Sequence, residues 1–148
     1  MLKTLSILGS TGSIGVNALE VISNLENCFK VKYLSTYKNV DLLLSQIKKH
    51  KPKAVAVVDE TAAKKIKSTL DAMGIKLLTG RVGLLDLSQR NDLDLMLNGL
   101  VGASGMQPTI NAIKAGVNVA LANKESLVMA GNIINKELKN SEGKLFPV

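Results

Sequence analysis

Three glycines at three-residue spacing, Gly9, Gly12 and Gly15, lie between a short apolar run and a stretch of helical periodicity. The run from Thr4 to Leu8 is β-branched and apolar, as buried strands are, and residues 14–25 repeat apolar side chains at helical intervals. Glycines at such a turn permit a tight bend, close approach of the backbone to a phosphate, and close packing of helix on strand. The segment therefore predicts the first βα unit of a nucleotide-binding α/β fold.

The predicted phosphate contacts follow from this loop. Thr11, Gly12, Ser13 and Ile14 would present backbone amides and two hydroxyls at a helix N-terminus, whose partial positive charge favours phosphate. The alternative is a glycine-rich turn that binds nothing. A Walker loop is excluded, because no Gly-Lys-Ser/Thr follows the glycines.

The rest of the chain continues the alternation of strand and helix. Predicted strands cover 29–34, 54–58, 75–78, 93–97, 118–121 and 144–148, and predicted helices cover 40–49, 62–73, 82–88, 106–115 and 126–138. Strands alternating with helices of this length favour a mostly parallel, doubly wound sheet with helices on both faces. The length of 148 residues suits one domain, residues 1–148.

The end of the second predicted strand bears on cofactor choice. A fold that binds NAD normally places Asp or Glu there to hold the ribose 2′-hydroxyl. Here the chain reads Ser35-Thr-Tyr-Lys38-Asn39, which has no carboxylate to repel a 2′-phosphate. Lys38 and Asn39 therefore favour NADP, and the alternative is a surface lysine followed by a helix cap.

Composition narrows the class of partner and the cellular setting. The formal charge of +7 admits nucleic acid, an anionic membrane or a phosphorylated small molecule. Only four aromatic residues accompany the basic ones, which argues against nucleic acid, and no apolar run reaches the ~20 residues of a membrane helix. One cysteine and no signal peptide favour a reducing, cytoplasmic setting.

A second polar motif, Asn123-Lys124-Glu125, follows a predicted strand and opens a helix. That position places an amide, an ammonium and a carboxylate at the carboxyl edge of the sheet, where ligands of such folds bind. The alternative is that Asn123 and Glu125 only cap and start the helix.

Taken together, Leu8–Gly15 and Leu121–Leu127 resemble the 1-deoxy-D-xylulose 5-phosphate reductoisomerase family, as do Val101–Gly105 and Phe146–Val148. The resemblance implies an NADPH-binding amino-terminal domain of the Rossmann-like type. It also implies pyrophosphate contacts from Thr11, Gly12, Ser13 and Ile14, 2′-phosphate contacts from Lys38 and Asn39, further cofactor contacts from Asn123 and Glu125, and substrate binding by Lys124. Tyr37 stands where the family often has glycine, which puts a close backbone contact there in doubt.

The family's reaction converts 1-deoxy-D-xylulose 5-phosphate into 2-C-methyl-D-erythritol 4-phosphate, in isoprenoid precursor synthesis, with NADPH and Mg²⁺ or Mn²⁺. Its metal ligands belong to an Asp-Ser-Glu motif that would follow Val148, so we expect a fragment that is inactive alone, without metal ligands of its own. The resemblance further implies a homodimeric, cytoplasmic bacterial enzyme. Two alternatives are a non-catalytic NADP-sensing domain and another NADP-dependent reductase.

Overall fold

The computed structural model describes residues 2–25, 27–122 and 124–148, with the backbone only at position 124. Seven strands, six α-helices and one 3-10 turn alternate within these ranges. The strands are β1 (Lys3–Leu8), β2 (Phe29–Thr36), β3 (Ala54–Val57), β4 (Lys76–Thr79), β5 (Leu95–Asn98), β6 (Asn118–Leu121) and β7 (Leu145–Pro147). The helices are α1 (Ser13–Asn24), α2 (Val40–His50), α3 (Glu60–Met73), α4 (Gly80–Ser88), α5 (Met106–Lys114) and α6 (Lys124–Lys139), and the 3-10 turn is Gly102–Gly105.

The strands form one sheet in the order β4-β3-β2-β1-β5-β6-β7. Every pairing of neighbouring strands in this sheet is parallel. The chain moves outward from β1 through β2 to β4, and then returns to the other side of β1 as β5. The direction of winding therefore reverses between β1 and β5, and the carboxyl ends of these two strands flank a crevice.

Two apolar clusters cover the two faces of the sheet, as a doubly wound fold requires. One cluster combines Ile7 and Val55 with side chains of α1, α2 and α3, among them Leu43. The other combines Leu8 and Val119 with side chains of α4, α5 and α6. The predicted α/β class with helices on both faces is confirmed, and the sheet, predicted as mostly parallel, is parallel at every described pairing.

Side-chain caps fix where the helices begin. The carbonyl oxygen of the Asn39 side chain accepts a hydrogen bond from the Leu42 amide at 3.2 Å, so α2 starts after the predicted cap. The helix predicted from Ala62 begins two residues earlier, at Glu60. The reason is that the Asp59 carboxylate accepts hydrogen bonds from the amides at 61 and 62, which satisfies the first turn.

A bulge interrupts the pairing of β1 with β2. Leu5 pairs with Val31, but the next residue, Ser6, pairs with Tyr33, so Lys32 is the extra residue on β2. Val31 packs in the cluster under α1 to α3 and Tyr33 in the cluster on the opposite face. Residues two apart on a regular strand share a face, so the extra residue accounts for this change of face.

A polar network holds the amino edge of the sheet. Asp92 accepts hydrogen bonds of 2.8 Å from the buried Tyr33 hydroxyl and forms a 2.8 Å ion pair with Lys32. Burial, and then the bond to Asp92, raise the pKa of Tyr33 to about 12. Burial alone would raise the pKa of Asp92, but the hydrogen bonds from Lys32 and Tyr33 outweigh it and lower that pKa. This network lies at the edge opposite the glycine loop.

Candidate cofactor site

A groove of about 700 Å³ opens at the carboxyl edge of the sheet. The glycine loop after β1 forms one wall, through Gly9, Thr11 and Gly12, and the segment after β5 contributes the other, through Leu100 and Val101. The groove lies where the winding of the sheet reverses, which is where open α/β sheets bind their ligands. Its volume is within the usual range for a small-molecule or cofactor site.

Gly9 and Gly15 are required by the shape of the loop. Gly9 has a φ of +77°, and a Cβ there would lie 3.2 Å from the carbonyl carbon of Gly99 at the end of β5. A Cβ on Gly15 would lie 2.5 Å from the Cα of Ser10, so only glycine lets α1 pack this closely on the loop. The predicted roles of these two glycines, in turning the chain and in packing helix on strand, match the geometry.

Gly12 is different, because it faces open space. A Cβ built on it would approach only the carbonyl oxygen of Gly9, at 3.5 Å. Gly12 is the N-cap of α1, and the first helical hydrogen bond runs from the Val16 amide to its carbonyl, at 2.9 Å. The amides of Ser13 and Ile14 precede that bond, so neither has a carbonyl acceptor within the helix. The loop thus brings the Ser13 and Ile14 amides together at a helix N-terminus whose cap lines the groove, whereas the Gly12 amide, also predicted as a phosphate donor, donates to the Gly9 carbonyl at 3.2 Å.

Buried hydrogen bonds hold the glycine loop on β2 and α2. The Ser35 hydroxyl accepts from the Gly9 amide at 2.9 Å, and the Ser35 carbonyl accepts from the Ser10 amide at 2.8 Å. The Gln46 side chain of α2 donates from Nε2 to the Ser10 carbonyl at 2.8 Å, and its Oε1 lies 2.8 Å from the Ser10 hydroxyl. Ser10 is completely buried and Gln46 is 8% exposed. The loop conformation is therefore fixed by polar contacts rather than by glycine alone.

Short motifs do not predict Ser10, Ser35 and Gln46 as site residues, although the sequence contains a signal for one of them. Gln46 lies next to Ile47 and three residues after Leu43, on the buried side of α2. A polar side chain on the apolar side of a helix needs a hydrogen-bonding partner. Thr11 is held in a similar way, because its hydroxyl lies 2.6 Å from that of Thr36 at the end of β2.

The predicted 2′-phosphate residues follow β2 at the same edge. Tyr37 lines the groove and is 65% exposed, and the side chains of Lys38 and Asn39 are exposed beside it. Asn39 caps α2 through its side-chain oxygen, so the alternative given for it, a helix cap, is observed. Whether Lys38 and Asn39 also contact a 2′-phosphate stays a prediction.

The second motif is only partly described. Asn123 lies outside the described residues, and for Lys124 the structure gives the helical backbone at the start of α6. Glu125 is exposed in the first turn of α6. Glu125 is not among the described residues that line the groove, and the roles predicted for Asn123, Lys124 and Glu125 stay predictions.

The far wall of the groove contains an arginine, Arg81, that the motifs also do not predict. Arg81, in the first turn of α4, lines the groove together with Val101 and Ser104. Its guanidinium Nη1 donates a hydrogen bond of 2.9 Å to the Ser104 carbonyl in the 3-10 turn. No glycine motif or strand-end rule points to this residue, because Arg81 and Ser104 are 23 residues apart in the chain.

Within 2–25, 27–122 and 124–148, no three His, Cys, Asp or Glu side chains come together in a way that could hold a metal ion. No helix in those ranges is long and apolar enough to cross a bilayer.

The strand order, the glycine loop and the groove define a doubly wound domain of the NAD(P)-binding class. The family model of 1-deoxy-D-xylulose 5-phosphate reductoisomerase matches residues 5–131. The chain belongs to this family, as the resemblance predicted. A reductoisomerase from Halothermothrix orenii is 44% identical over 148 residues, and one from Chloroherpeton thalassium is 43% identical over 147. They are matched over 100% and 99% of this chain, but over only 38% of their own length in both cases.

Solved structures of reductoisomerases also match the fold of this chain. A magnesium complex of DOX-P reductoisomerase has a TM-score of 0.91 at 32% identity, covering 99% of this chain and 37% of that one. The Zymomonas mobilis reductoisomerase in complex with NADPH has a TM-score of 0.91 at 30% identity, covering 99% and 38%. An archaeal homoserine dehydrogenase, at 14% identity and a TM-score of 0.63, over 99% of this chain and 43% of its own, shares the fold alone.

Proposed function

We propose that residues 1–148 form the NADPH-binding domain of a 1-deoxy-D-xylulose 5-phosphate reductoisomerase. The observation that carries the proposal is the open helix N-terminus at Gly12, which lines a groove at the point where the sheet reverses its winding. The amides of Ser13 and Ile14 would hold the pyrophosphate, and the space beside Gly12 lets it approach the backbone. Bound NADPH would supply a hydride for reduction of a carbonyl.

The choice of NADPH over NADH rests on the end of β2. Lys38 supplies a positive charge where NAD-binding folds place a carboxylate. Asp59, the acidic residue after β3, is engaged as the cap of α3 through its Oδ1 atom. Lys38 and Asn39 are therefore assigned to the 2′-phosphate, since charge-assisted hydrogen bonds to phosphate are strong.

The activity of the whole enzyme is a further part of the proposal. The substrate would be 1-deoxy-D-xylulose 5-phosphate and the product 2-C-methyl-D-erythritol 4-phosphate, with Lys124 binding substrate and Asn123 and Glu125 contacting cofactor. A divalent ion, Mg²⁺ or Mn²⁺, would be held by residues other than those of this chain. We also propose a homodimer in the bacterial cytoplasm for the full-length protein.

Titration of the purified chain with NADPH and NADH, followed by nucleotide fluorescence or calorimetry, tests the cofactor assignment. We expect tighter binding of NADPH, and a selective loss of NADPH affinity in Lys38→Ala of about 1–3 kcal/mol, since one charge-assisted contact is removed. Lys49→Ala is the matched control, because Lys49 is an exposed cation at the far end of α2. Equal affinity of the unmodified chain for both nucleotides would refute the assignment.

A further inference from the structure

Arg81 is placed at the groove by the end of the sheet's outer strand. β4 ends at Thr79, Gly80 takes a φ of +74°, and Arg81 follows in the first turn of α4. All strands of the sheet are parallel, so this turn lies at the same edge as the glycine loop. Arg81 is exposed there, and it is one of only two arginines in the chain.

Among the described residues, one hydrogen bond holds the guanidinium of Arg81, and the groove around this group is mostly apolar. Its Nη1 donates to the Ser104 carbonyl at 2.9 Å, which uses one of the five N–H donors of the group. Val58, Leu100 and Val101 line the groove with it, and Val101 is 86% exposed. The other arginine, Arg90, pairs with Asp86 at 3.6 Å and lies over the Tyr33 ring at the amino edge, away from the groove.

These surroundings suit a flat aromatic group. A guanidinium is planar and stacks on aromatic faces and on nucleic-acid bases, which an ammonium group does less well. The valine and leucine side chains offer apolar contact to the same kind of group.

The dinucleotide has a base at each end, and the glycine loop fixes its pyrophosphate between them. β2 carries the predicted 2′-phosphate residues, and β2 and β3 lie between β4 and the loop. Arg81 therefore enters the groove from the adenosine side, and its guanidinium meets the segment after β5 at Ser104.

We propose that Arg81 binds the adenine ring of the cofactor by stacking its guanidinium plane against the base, with the Ser104 carbonyl holding that plane in place. The inference rests on the proposed NADPH function and deepens it, because it assigns a residue to the base rather than to a phosphate. Since NADPH and NADH carry the same adenine, Arg81 contributes equally to both, whereas Lys38 discriminates between them.

Binding measurements on the 148-residue chain test the assignment. Arg81→Ala is expected to weaken NADPH and NADH alike, by about tenfold, as for a cation stacked on a partly desolvated ring. Arg81→Lys keeps the charge and a donor for the Ser104 carbonyl but removes the plane, so its affinity should lie between that of Arg81→Ala and that of the unmodified chain. Arg90→Ala is the matched control and should leave both affinities unchanged. Circular dichroism and thermal unfolding report whether each variant is folded.

Fragments of the cofactor separate stacking from a purely structural role. The affinity for 2′-phosphoadenosine 5′-diphosphate should fall in Arg81→Ala by the same factor as that for NADPH. If Arg81→Lys binds both nucleotides as the unmodified chain does, or if Arg81→Ala weakens NADPH alone, stacking on adenine is refuted. If the unmodified chain binds neither nucleotide, the proposed function fails first and this inference with it. A normal affinity of the unmodified chain with no change in Arg81→Ala overturns only the role of Arg81.

Discussion

Replacing Gln46 with leucine should loosen the glycine loop without touching the groove itself. Gln46 lies on α2, and its Nε2 donates to the Ser10 carbonyl at 2.8 Å. Leucine has a similar size but no donor, so this carbonyl loses its side-chain partner. Because Ser10 is completely buried, water does not take over easily.

The expected size of the effect follows from that one lost donor. A buried polar group without its partner costs about 1–3 kcal/mol. In a domain of this size each kcal/mol lowers the Tm by about 2–4 °C, so Gln46→Leu should lower it by roughly 2–12 °C. If the loop must then be ordered again on binding, fixing one residue costs about 1–2 kcal/mol, and NADPH affinity should fall about 5- to 30-fold.

Thermal unfolding and NADPH titration measure the two effects separately. Gln89→Leu makes the same chemical change at the exposed residue that ends α4 and serves as the control. Ser10→Ala removes the hydroxyl but keeps the carbonyl bond, so we expect a smaller loss, and its effect should not add fully to that of Gln46→Leu. Unchanged Tm and affinity in Gln46→Leu, with a folded protein, would show that the loop holds its shape without α2.

Three other predictions concern the loop, the amino edge and catalysis. Gly12→Val should abolish NADPH binding in a titration while circular dichroism shows a folded chain, because the open space there is where the pyrophosphate must approach. Asp92 has a lowered pKa in the folded state, so its contribution to stability is complete above its ordinary pKa of 3.8 and is lost as the pH falls below it. Asp92→Asn should therefore flatten the fall in Tm between about pH 5 and pH 2, and an unchanged slope would count against the network. Finally, the 148-residue chain should show no sustained oxidation of NADPH with 1-deoxy-D-xylulose 5-phosphate and Mg²⁺, and turnover in an absorbance assay would contradict the proposed placement of the metal ligands.

Local signals predicted the elements of the fold well. Apolar runs and helical periodicity found every strand and α-helix, because burial on a sheet with two covered faces leaves a direct pattern in the sequence. Boundaries shifted where side chains formed contacts that periodicity does not encode. β5 was expected from residue 93 but begins at Leu95, since the Asp94 carboxylate accepts hydrogen bonds from the amide and hydroxyl of Thr4.

The site was predictable only where its residues are close together in the chain. The glycine loop occupies seven consecutive residues, and its spacing alone predicted the amide donors at Ser13 and Ile14. Gln46 is 36 residues from Ser10, and Arg81 is 23 residues from Ser104. Such contacts depend on how the elements pack, and no short motif encodes them. The 3-10 turn was missed for a related reason, because it is too short to show a period.

The extra residue in β2 lies between two stretches that both pair regularly with β1. The strand can therefore differ in length at the amino edge of the sheet without changing its pairing at the carboxyl edge. Val31 and Tyr33 already pair with consecutive residues of β1 and lie on opposite faces, as adjacent residues of a regular strand would. In a chain lacking Lys32, Ser35 would therefore stay aligned with the glycine loop, and the side chains of both apolar clusters would stay on their own faces of the sheet. The loss would fall on the ion pair with Asp92, at the opposite edge. The bulge thus confines the effect of the extra residue to the amino edge of the sheet, away from the groove.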